Sequence, residues 1–458
     1  MVPTTPMNRA EPTFPPEQIA SILGQIRCPG SLKEFSAAMV QPWRNVIRHR
    51  REINPANLPV PSSPIDWYTL GRRPAEDSGS PARTVAYASG DFFIQDAGSL
   101  LALAVAGADG DGLRGKVVGD LCAAPGGKAS ALLEAVSNDD VESDGFVLAN
   151  EVIRNRVAPL QLNLARVGSD RFAISSLDPE KLANQLPQAF DLLVVDAPCS
   201  GQAMMSRGKQ NQSALSTHQI SHSASRQQRI LEAAVKLVRD GGHLVYSTCT
   251  FAEAENEAQI RLLIEQGVAT PKPVASLQEY ETDPGCYRCW PHVHRCAGSF
   301  AASLTIQHSH QAKTEKPNKR KKAIRTRIAL TDWYKGTGSE SRLLTRDSVI
   351  LGFSPSAPEW VEQIAIAGPE LAHRAGQTWK PAHAGALRRK ASLMPINTIE
   401  IDQKACQQFM RGEPIQTDES GWHAIQLQGR PLGWVKANGK IGKNHLPSGA
   451  RISGELST

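Results

Sequence analysis

The chain has 458 residues, of which 40% are hydrophobic and 21% are charged. This composition is typical of a soluble globular protein with two or three domains. No apolar run approaches the roughly 20 residues of a membrane-spanning helix, and the first residues lack the apolar core of a signal peptide. Eight cysteines in so long a chain do not make a disulfide framework, so a reducing cytoplasm is expected. The net charge of +6 is a mild bias toward a polyanionic partner.

The first 85 residues are rich in proline and have little regular periodicity. Helical patterns occur at 16–26 and 32–39, and they are followed by a basic stretch that contains Arg44 and continues through 48–51. Positive charge in this position is compatible with contacts to nucleic acid. We therefore assign residues 1–85 to an N-terminal RNA-binding extension.

Residues 86–306 alternate between short apolar runs and amphipathic segments. The predicted strands are 117–121, 146–149, 172–174, 191–195, 243–247 and 303–306. The predicted helices are 128–135, 153–166, 226–238 and 254–266. Alternation of this kind predicts an α/β domain with a mainly parallel sheet that is covered by helices on both faces. Ligands of such sheets bind beyond the carboxyl ends of the strands, so functional residues should follow the strands.

A change of composition after residue 306 indicates a domain boundary. The segment 313–327 is dominated by lysine and arginine, with Glu315 as its one acid, and we assign 307–327 to a basic linker. A solvated linker and an RNA-contacting linker are equally compatible with it. Residues 328–458 have scattered tryptophans and short alternating segments, which predicts a small mixed α/β region.

The turn after the first predicted strand has the features of a ligand-binding loop. It reads DLCAAPGGK from Asp120 to Lys128, and its glycines allow close approach of the backbone to a ligand at a helix N-terminus. Glu151, Asp178 and Asp196 end or follow the next three strands. Each of these acids alone is better explained as a helix cap or a surface residue. Three acids at successive strand ends favour a ligand site.

Three motifs resemble those of the RNA (cytosine-5) methyltransferase family. They are CAAPGGK at 122–128, DAPCSG at 196–201 and YSTCTF at 246–251. The resemblance implies a Rossmann-like class I methyltransferase fold with a seven-stranded sheet, and S-adenosyl-L-methionine as the cofactor. It implies that the cofactor is held by Cys122, Ala123, Ala124, Pro125, Gly126, Gly127, Lys128, Glu151, Asp178 and Asp196.

Methylation of carbon 5 of cytosine requires activation of the ring, because this carbon is a weak nucleophile. A thiolate that adds to carbon 6 converts the ring into an enamine whose carbon 5 can attack a methyl donor. The resemblance implies that Cys249 is this nucleophile and that Cys199 assists product release. It also implies that Asp196 bonds the ring at N3 and that Lys128 supports the site. DNA methyltransferases use a Pro-Cys nucleophile instead, which leaves exchanged roles for Cys199 and Cys249 as the alternative.

One cluster has the spacing of metal ligands without the usual division into two distant pairs. It consists of Cys286, Cys289, His292, His294 and Cys296. Zinc ligands normally come as two pairs that a longer loop separates. We therefore predict no metal here.

The C-terminal region indicates which RNA is bound. The segments 409–415 and 429–447 resemble the RNA-binding module of the 16S ribosomal RNA methyltransferase F type, which is a PUA-like region. Lys436, Lys440, Lys443 and Asn444 could reach phosphates, whereas Trp434 is better explained by core packing than by base stacking.

The expected partner is therefore 16S rRNA, in the 30S subunit or an assembly intermediate. We expect no DNA, no membrane and a monomeric protein. A methyltransferase acting on tRNA and a non-catalytic ribosome assembly factor are the alternatives. A small-molecule methyltransferase would leave the basic segments without a role.

Overall fold

The structure is a computed structural model that describes residues 16–137, 145–308, 330–336, 341–389 and 391–456. The basic segment 313–327 lies outside the described residues. None of the described helices is long and apolar enough to cross a membrane.

The N-terminal elements form two helices and an antiparallel sheet. They are α1 (Pro16–Leu23), α2 (Leu32–Val40), β1 (Val46–His49), β2 (Ser62–Ile65), β3 (Tyr68–Pro74), α3 (Val85–Ser89) and β4 (Phe92–Gln95). The sheet has the order β2-β3-β1-β4. Because β4 follows residue 85 and pairs with β1, this sheet contains strands from both sides of the predicted boundary. Arg48 of β1 is fully buried and pairs with Glu134, so part of the basic stretch has a structural role.

The central domain alternates strands and helices as predicted. Its helices are α4 (Leu100–Val105), α5 (Gly127–Val136), α6 (Val157–Ala165), α7 (Pro179–Gln185), α8 (Thr217–Leu237), α9 (Glu257–Glu265) and α10 (Pro291–His294). Its strands are β5 (Val117–Asp120), β6 (Phe146–Asn150), β7 (Phe172–Ser175), β8 (Phe190–Asp196), β9 (Val238–Thr248), β10 (Ala269–Pro271), β11 (Glu281–Asp283), β12 (Cys286–Cys289) and β13 (Ser299–Ile306).

The central sheet has nine strands within the described residues, in the order β11-β12-β13-β9-β8-β5-β6-β7, with β10 also pairing with β13. The five neighbours β9, β8, β5, β6 and β7 are parallel. The predicted fold class is confirmed. The sheet exceeds the predicted seven strands because the antiparallel hairpin β11–β12 extends its edge beyond β13.

The core lies on both faces of this sheet, because successive side chains of a strand point to opposite sides. In β6, Val147 and Ala149 belong to one apolar cluster, whereas Phe146 and Leu148 belong to another. Each predicted strand overlaps an observed one. Helix α8 begins nine residues before the predicted start at 226, since Ser216 caps it and its first turns contribute the buried Ile220.

The C-terminal part is built from short strands. The elements are β14 (Tyr334–Gly336), β15 (Arg342–Arg346), β16 (Val349–Phe353), α11 (Val361–Ile364), β17 (Glu370–Ala375), β18 (Thr378–Pro381), α12 (His383–Ala386), β19 (Leu393–Pro395), β20 (Thr398–Glu400), α13 (Gln403–Arg411), β21 (Ile415–Gln416), β22 (Ser420–Leu427), β23 (Arg430–Asn438) and β24 (Ile441–Asn444). They form a four-stranded sheet β15-β16-β17-β18, a five-stranded sheet β20-β22-β23-β24-β21 and the pair β14-β19.

The four-stranded sheet packs directly on the central domain. Trp360 contacts the rings of Phe146 and Phe190, with centroid separations of 5.8 and 6.1 Å. The backbone N–H of Ile174 in β7 donates to the carbonyl oxygen of Ala367 at 2.9 Å. Phe146 and Phe190 are the first residues of β6 and β8, so the contacts of Trp360 lie at the amino ends of these strands.

Candidate active site

The loop between β5 and α5 carries the first motif. Gly126 has a φ of +110°, a conformation that side chains other than glycine rarely adopt. A Cβ at Gly126 would lie 3.2 Å from both Leu160 and Asn163 of α6. Asn163 donates a hydrogen bond from Nδ2 to the Pro125 carbonyl oxygen at 2.8 Å. Close packing on α6 therefore requires a glycine here and fixes the course of the loop.

A cavity of about 180 Å³ opens beside this loop, at the carboxyl ends of β5, β6 and β7. Cys122, Glu151 and Asp178 line it. Glu151 is buried and accepts a hydrogen bond from the Ile153 N–H at 2.8 Å. Asp178 caps α7 by accepting from the Glu180 N–H at 3.0 Å. Asp178 thus caps a helix and also lines the cavity, so a capping role and a place at the ligand site are compatible for this acid.

Asp120, the last residue of β5, was not among the predicted site residues. It is buried, and neither carboxylate oxygen has a well-aligned donor among the described residues. Burial, and next the neighbouring charge of Asp196, raise the pKa of Asp120 to about 7. A buried carboxyl group with open acceptor sites fits a cationic ligand. The acid Glu151 can accept from ribose hydroxyls. The carboxyl groups of Asp120 and Glu151 together therefore fit S-adenosyl-L-methionine.

A second cavity of about 180 Å³ is lined by three of the four predicted catalytic residues, namely Lys128, Asp196 and Cys249. Lys128 Nζ lies 2.7 Å from Asp196 Oδ2, and Ser247 Oγ donates to Asp196 Oδ1 at 2.9 Å. Burial opposes the charge on Lys128, but the neighbouring carboxylates Asp196 and Asp120 outweigh it and raise the pKa of Lys128. Lys128 therefore stays positively charged inside the cavity.

The other motif cysteine, Cys199, is outside the lining of this cavity but contacts Cys249. The two cysteines follow the adjacent parallel strands β8 and β9, and the Sγ atoms of Cys199 and Cys249 are 3.3 Å apart. The hydrogen bond with Cys249, followed by burial, raises the pKa of Cys199 well above its ordinary value. Cys199 therefore holds its proton, and its S–H can donate to the sulfur of Cys249.

A buried carboxylate that the sequence analysis missed ties the two cysteine loops together. Glu255 accepts hydrogen bonds from the Ser200 N–H at 2.9 Å, the Ser200 hydroxyl at 2.5 Å and Gln227 Nε2 at 2.9 Å. The hydroxyls of Ser200 and Thr250 are also 2.8 Å apart. Burial raises the pKa of Glu255, although the bonds from Ser200 oppose this shift. The residues that follow Cys199 and Cys249 are thus fixed to one buried group.

Asn256 and Gln202 hold the backbone around Cys249. The Thr248 hydroxyl donates to Asn256 Oδ1 at 2.6 Å, and Asn256 Nδ2 donates to the Thr250 carbonyl at 2.9 Å. Gln202 Oε1 accepts from the Phe251 N–H at 2.8 Å. Nothing in the sequence pattern distinguishes Glu255 from the nearby acid Glu253, which pairs with Arg261 instead.

The residues with metal-like spacing are dispersed. Cys286 lies in the apolar cluster on one face of the sheet, whereas Cys289 and Cys296 lie in the cluster on the other face. His292 Nε2 is 2.7 Å from the Pro29 carbonyl oxygen, and His294 Nδ1 accepts from the Trp290 N–H at 2.8 Å. Across the described parts of the chain, no three His, Cys, Asp or Glu residues are arranged to hold a metal ion.

The polar and aromatic residues singled out in the C-terminal region have different roles. Trp434 is buried and donates from Nε1 to the Ala382 carbonyl at 2.9 Å, so it packs in the core, as expected. Asn444 Nδ2 donates to the Phe409 and Glu413 carbonyls at 2.8 and 2.9 Å. By contrast, the predicted lysines of β23, β24 and the turn between them are exposed, namely Lys436, Lys440 and Lys443.

Comparison with known families agrees with this geometry. The family described as 16S rRNA methyltransferase RsmB/F matches residues 113–305, and the methyltransferase RsmF PUA domain matches residues 396–452. The chain belongs to the RsmB/F methyltransferase family. The match over 396–452 confirms the PUA character of the C-terminal region.

Relatives of this RsmB/F chain extend over nearly its whole length. Ribosomal RNA small subunit methyltransferase F of Escherichia coli strain K12 is 28% identical and covers 93% of this chain and 94% of its own. The protein of the same name from Aeromonas salmonicida is 27% identical and covers 91% and 93%.

A crystal structure of a methyltransferase homolog protein from Pyrococcus horikoshii has a TM-score of 0.54 at 25% identity, covering 63% of this chain and 94% of its own. The RsmB/F chain is thus an RNA methyltransferase that uses S-adenosyl-L-methionine, as predicted.

Proposed function

We propose that this protein transfers a methyl group from S-adenosyl-L-methionine to carbon 5 of a cytosine in 16S rRNA. The observation that carries the proposal is a cavity lined by Cys249, Lys128 and Asp196, with Cys199 Sγ 3.3 Å from Cys249 Sγ. The names of the relatives, small subunit methyltransferase F, support small-subunit rRNA as the substrate.

In this proposal Cys249 is the nucleophile. Its sulfur lines the cavity and adds to carbon 6 of the cytosine, which places electron density on carbon 5. Carbon 5 then takes the methyl group, and its proton passes to solvent water that enters the cavity. The electrons of the broken C–H bond restore the double bond between carbons 5 and 6, and the electron pair of the bond between sulfur and carbon 6 returns to sulfur. Cys199 stays protonated and lies against Cys249, so it can donate a hydrogen bond to the sulfur as it leaves. Cys249 lines the cavity and Cys199 does not, which supports Cys249 over Cys199 as the adding thiolate.

Asp196 and Lys128 bind the polar edge of the cytosine. The Asp196 carboxylate is partly exposed at the cavity and can accept from the exocyclic amine, and also from N3 once this nitrogen takes up a proton from solvent during addition. The Lys128 ammonium beside it compensates the negative charge that develops on the ring during addition. Both groups therefore act on the same edge of the base.

The cofactor would lie between the first motif loop and the acids of the neighbouring strands. We propose that residues Cys122 to Lys128 form its cradle and that Glu151, Asp178 and Asp196 contact it, with Asp120 facing its cationic part. When bound, S-adenosyl-L-methionine supplies a methyl group on a positively charged sulfur. The protein contributes the orientation of that methyl group toward the cavity of Cys249.

The physiological substrate would be 16S rRNA within the 30S subunit or an assembly intermediate, bound by a monomer in the cytoplasm. All eight cysteines lie in the described residues and are free, which fits a reducing compartment. The target cytosine has to leave its stack to reach Cys249, so a loop, a junction or a partly assembled helix is expected.

Methyl transfer from labelled cofactor to RNA tests the proposal. Total RNA and 30S subunits from a strain that lacks the gene are the substrates, and bisulfite sequencing locates the modified cytosine. We expect one cytosine of 16S rRNA to be labelled. If the label were confined to tRNA, the substrate would be tRNA and not 16S rRNA. If no RNA were labelled, a non-catalytic assembly factor would be the better description.

A further inference from the structure

A large open groove adjoins the cavity of Cys249. It lies between α2, α10 and the 3-10 helices Gln202–Arg207 and Gln212–Leu215, and its volume is about 1520 Å³. We call it the side groove. Its size exceeds the usual 300–1,000 Å³ of a small-molecule site. The methyl-transfer chemistry described above uses none of its walls.

One wall of the side groove is aromatic and fixed in place. Trp43 is half-buried, and its Nε1 donates to the Ala38 carbonyl at 3.2 Å. His292 lies 2.7 Å from the Pro29 carbonyl oxygen and contacts the edge of Phe35, with ring centroids 5.6 Å apart. These bonds hold the rings in one orientation, so little conformational entropy is lost when a ligand packs against them. A nucleobase is a flat ligand that stacks on such a surface.

The other wall carries carboxamide side chains. Gln210, Asn211 and Gln212 are exposed and line the groove. A carboxamide presents a donor and an acceptor side by side, and this pairing matches the edges of nucleobases. The one acid of the lining, Glu34, is held by Ser31 in the capping box of α2. The walls therefore offer stacking on one side and base-edge hydrogen bonds on the other.

Arg207 connects the side groove with the target cavity, because it lines both. Its Nη2 donates to Asp96 Oδ2 and to Asn45 Oδ1, each at 2.8 Å. The adjacent residues Met204 and Met205 line the cavity and the groove, respectively. A ligand in the groove thus lies next to whatever occupies the cavity.

We propose that the side groove binds a nucleobase that neighbours the target cytosine in single-stranded RNA. The base stacks on Trp43, and Gln210, Asn211 and Gln212 hydrogen-bond its edge. This inference rests on the proposed function, because it is the cytosine in the cavity that brings its neighbour to the groove. The groove then helps to hold the target out of its stack and contributes to the choice of site.

Binding of a defined RNA to the full-length protein tests the inference without relying on turnover. The probe is a short, end-labelled oligouridylate with one central cytosine, and fluorescence anisotropy reports its affinity in the presence of S-adenosylhomocysteine. We expect Trp43→Ala to weaken binding by about tenfold, since stacked bases contribute strongly to single-strand affinity. Trp43→Phe should retain most of the affinity. The matched control is Ser213→Ala, on the same surface loop as the carboxamides but outside the groove lining.

An abasic scan of the probe shows whether Trp43 meets a particular base. Uridines around the cytosine are replaced one at a time by abasic nucleotides. We expect one position at which the replacement weakens binding by the wild-type protein and leaves binding by Trp43→Ala unchanged. Should Trp43→Ala destabilise the fold in a thermal melt, the double variant Gln210→Ala/Gln212→Ala, at exposed positions, takes its place with an expected loss of several-fold.

Two results would overturn the inference. One is a Trp43→Ala protein that binds the oligouridylate as the wild type does, which would leave the groove to a peptide of a partner protein. The other is an abasic penalty of equal size in both proteins at every position. Failure of the proposed function is distinguishable, because it would appear as absent methyl transfer by the wild-type protein while Trp43-dependent binding persists.

Discussion

The catalytic centre and the C-terminal region use their polar side chains in different ways. In the catalytic centre, Lys128 contacts Asp196, and Cys199 contacts Cys249, although these residues come from distant parts of the chain. In the C-terminal region, the residues predicted to reach phosphates do not all face the solvent. Asn444 bonds two backbone carbonyls, while Lys440 and Lys443 are exposed.

Strand topology explains the difference. Parallel strands end at the same edge of a sheet, so residues that follow them meet at one place. Neighbouring side chains of the antiparallel strands β22 to β24 alternate between the core and the solvent. Reactions depend on a few groups in fixed contact, whereas RNA binding adds up many replaceable charges. Substitutions in the two regions should therefore differ greatly in the size of their effects.

The largest effect is expected for Cys249→Ser. A hydroxyl is a much weaker nucleophile than a thiolate at neutral pH, so kcat for methyl transfer to RNA should fall by about 10³-fold or more. The matched control is Cys28→Ser, a free and half-buried cysteine of the N-terminal region. The control should keep wild-type turnover, and a Cys249→Ser enzyme that does the same would contradict the role of this residue.

Glu255→Gln tests the buried link between the cysteine loops. The carboxylate accepts from Ser200 and Gln227, and an amide would place a donor against one of these donors. We expect a loss of about 1–3 kcal/mol in the free energy of unfolding, with a roughly tenfold lower kcat because the loops of Cys199 and Cys249 lose a common anchor. Urea denaturation and single-turnover kinetics measure the two effects. The control is Glu232→Gln, at an exposed position of α8. Equal stability and equal kcat of the two variants would exclude an anchoring role for Glu255.

Asp120→Asn should change the pH dependence of stability. The pKa of Asp120 is raised to about 7 in the folded protein, so between its ordinary value of 3.8 and about 7 the folded state binds more protons than the unfolded state. The contribution of Asp120 to the free energy of unfolding is therefore fully present below its unfolded pKa and is lost as the pH rises toward 7.

Without cofactor, Asp120→Asn should accordingly be more stable than the wild type at pH 8, by on the order of 2 kcal/mol, with a smaller difference at pH 5. Affinity for S-adenosylmethionine should fall, because the carboxylate is lost. Urea melts at both pH values and calorimetric titration of the cofactor measure these changes. A difference in stability that is the same at pH 5 and pH 8 would show that Asp120 does not titrate in this range.

The smallest effects are expected in the C-terminal region. Lys440→Ala and Lys443→Ala should each weaken RNA binding by about two- to threefold and flatten its salt dependence slightly. Asn444→Ala should instead lower the free energy of unfolding, since its amide bonds two backbone carbonyls. Salt-dependent filter binding and thermal melts separate the two classes. If a lysine variant lost RNA binding as completely as Cys249→Ser is expected to lose turnover, the two regions would not differ in the size of their effects.

The sequence predicts the central domain well because the two signals used, apolar runs and the motifs that follow them, are both local in the sequence. Apolar runs such as the one at 146–149 are strands that are buried on both faces, and motif residues follow directly after them. The start of α8 is missed because its first turns are polar and owe their place to the cap at Ser216. The predicted boundary at residue 85 separates β1 from β4, although the two strands pair in one sheet. Amino-acid composition carries no information about this pairing.

The parts of the site that the sequence does not reveal depend on burial. Glu255 stands among other acids of the same segment, and only the fold shows that it is enclosed and bonded to Ser200. Asp120 is a strand-end acid like Asp196, yet its unpartnered oxygens become visible only in three dimensions. Conversely, the cysteines and histidines at 286–296 have a suggestive spacing, but the sheet separates Cys286 from Cys289 and Cys296.

Covalent trapping tests the assignment of the nucleophile most directly. RNA containing 5-fluorocytosine at the methylated position blocks the loss of the group on carbon 5, so the adduct between sulfur and carbon 6 accumulates in the presence of cofactor. The account predicts that Cys199→Ala still forms a denaturation-resistant complex with this RNA and that Cys249→Ala forms none. A complex with Cys249→Ala together with its absence for Cys199→Ala would contradict the account.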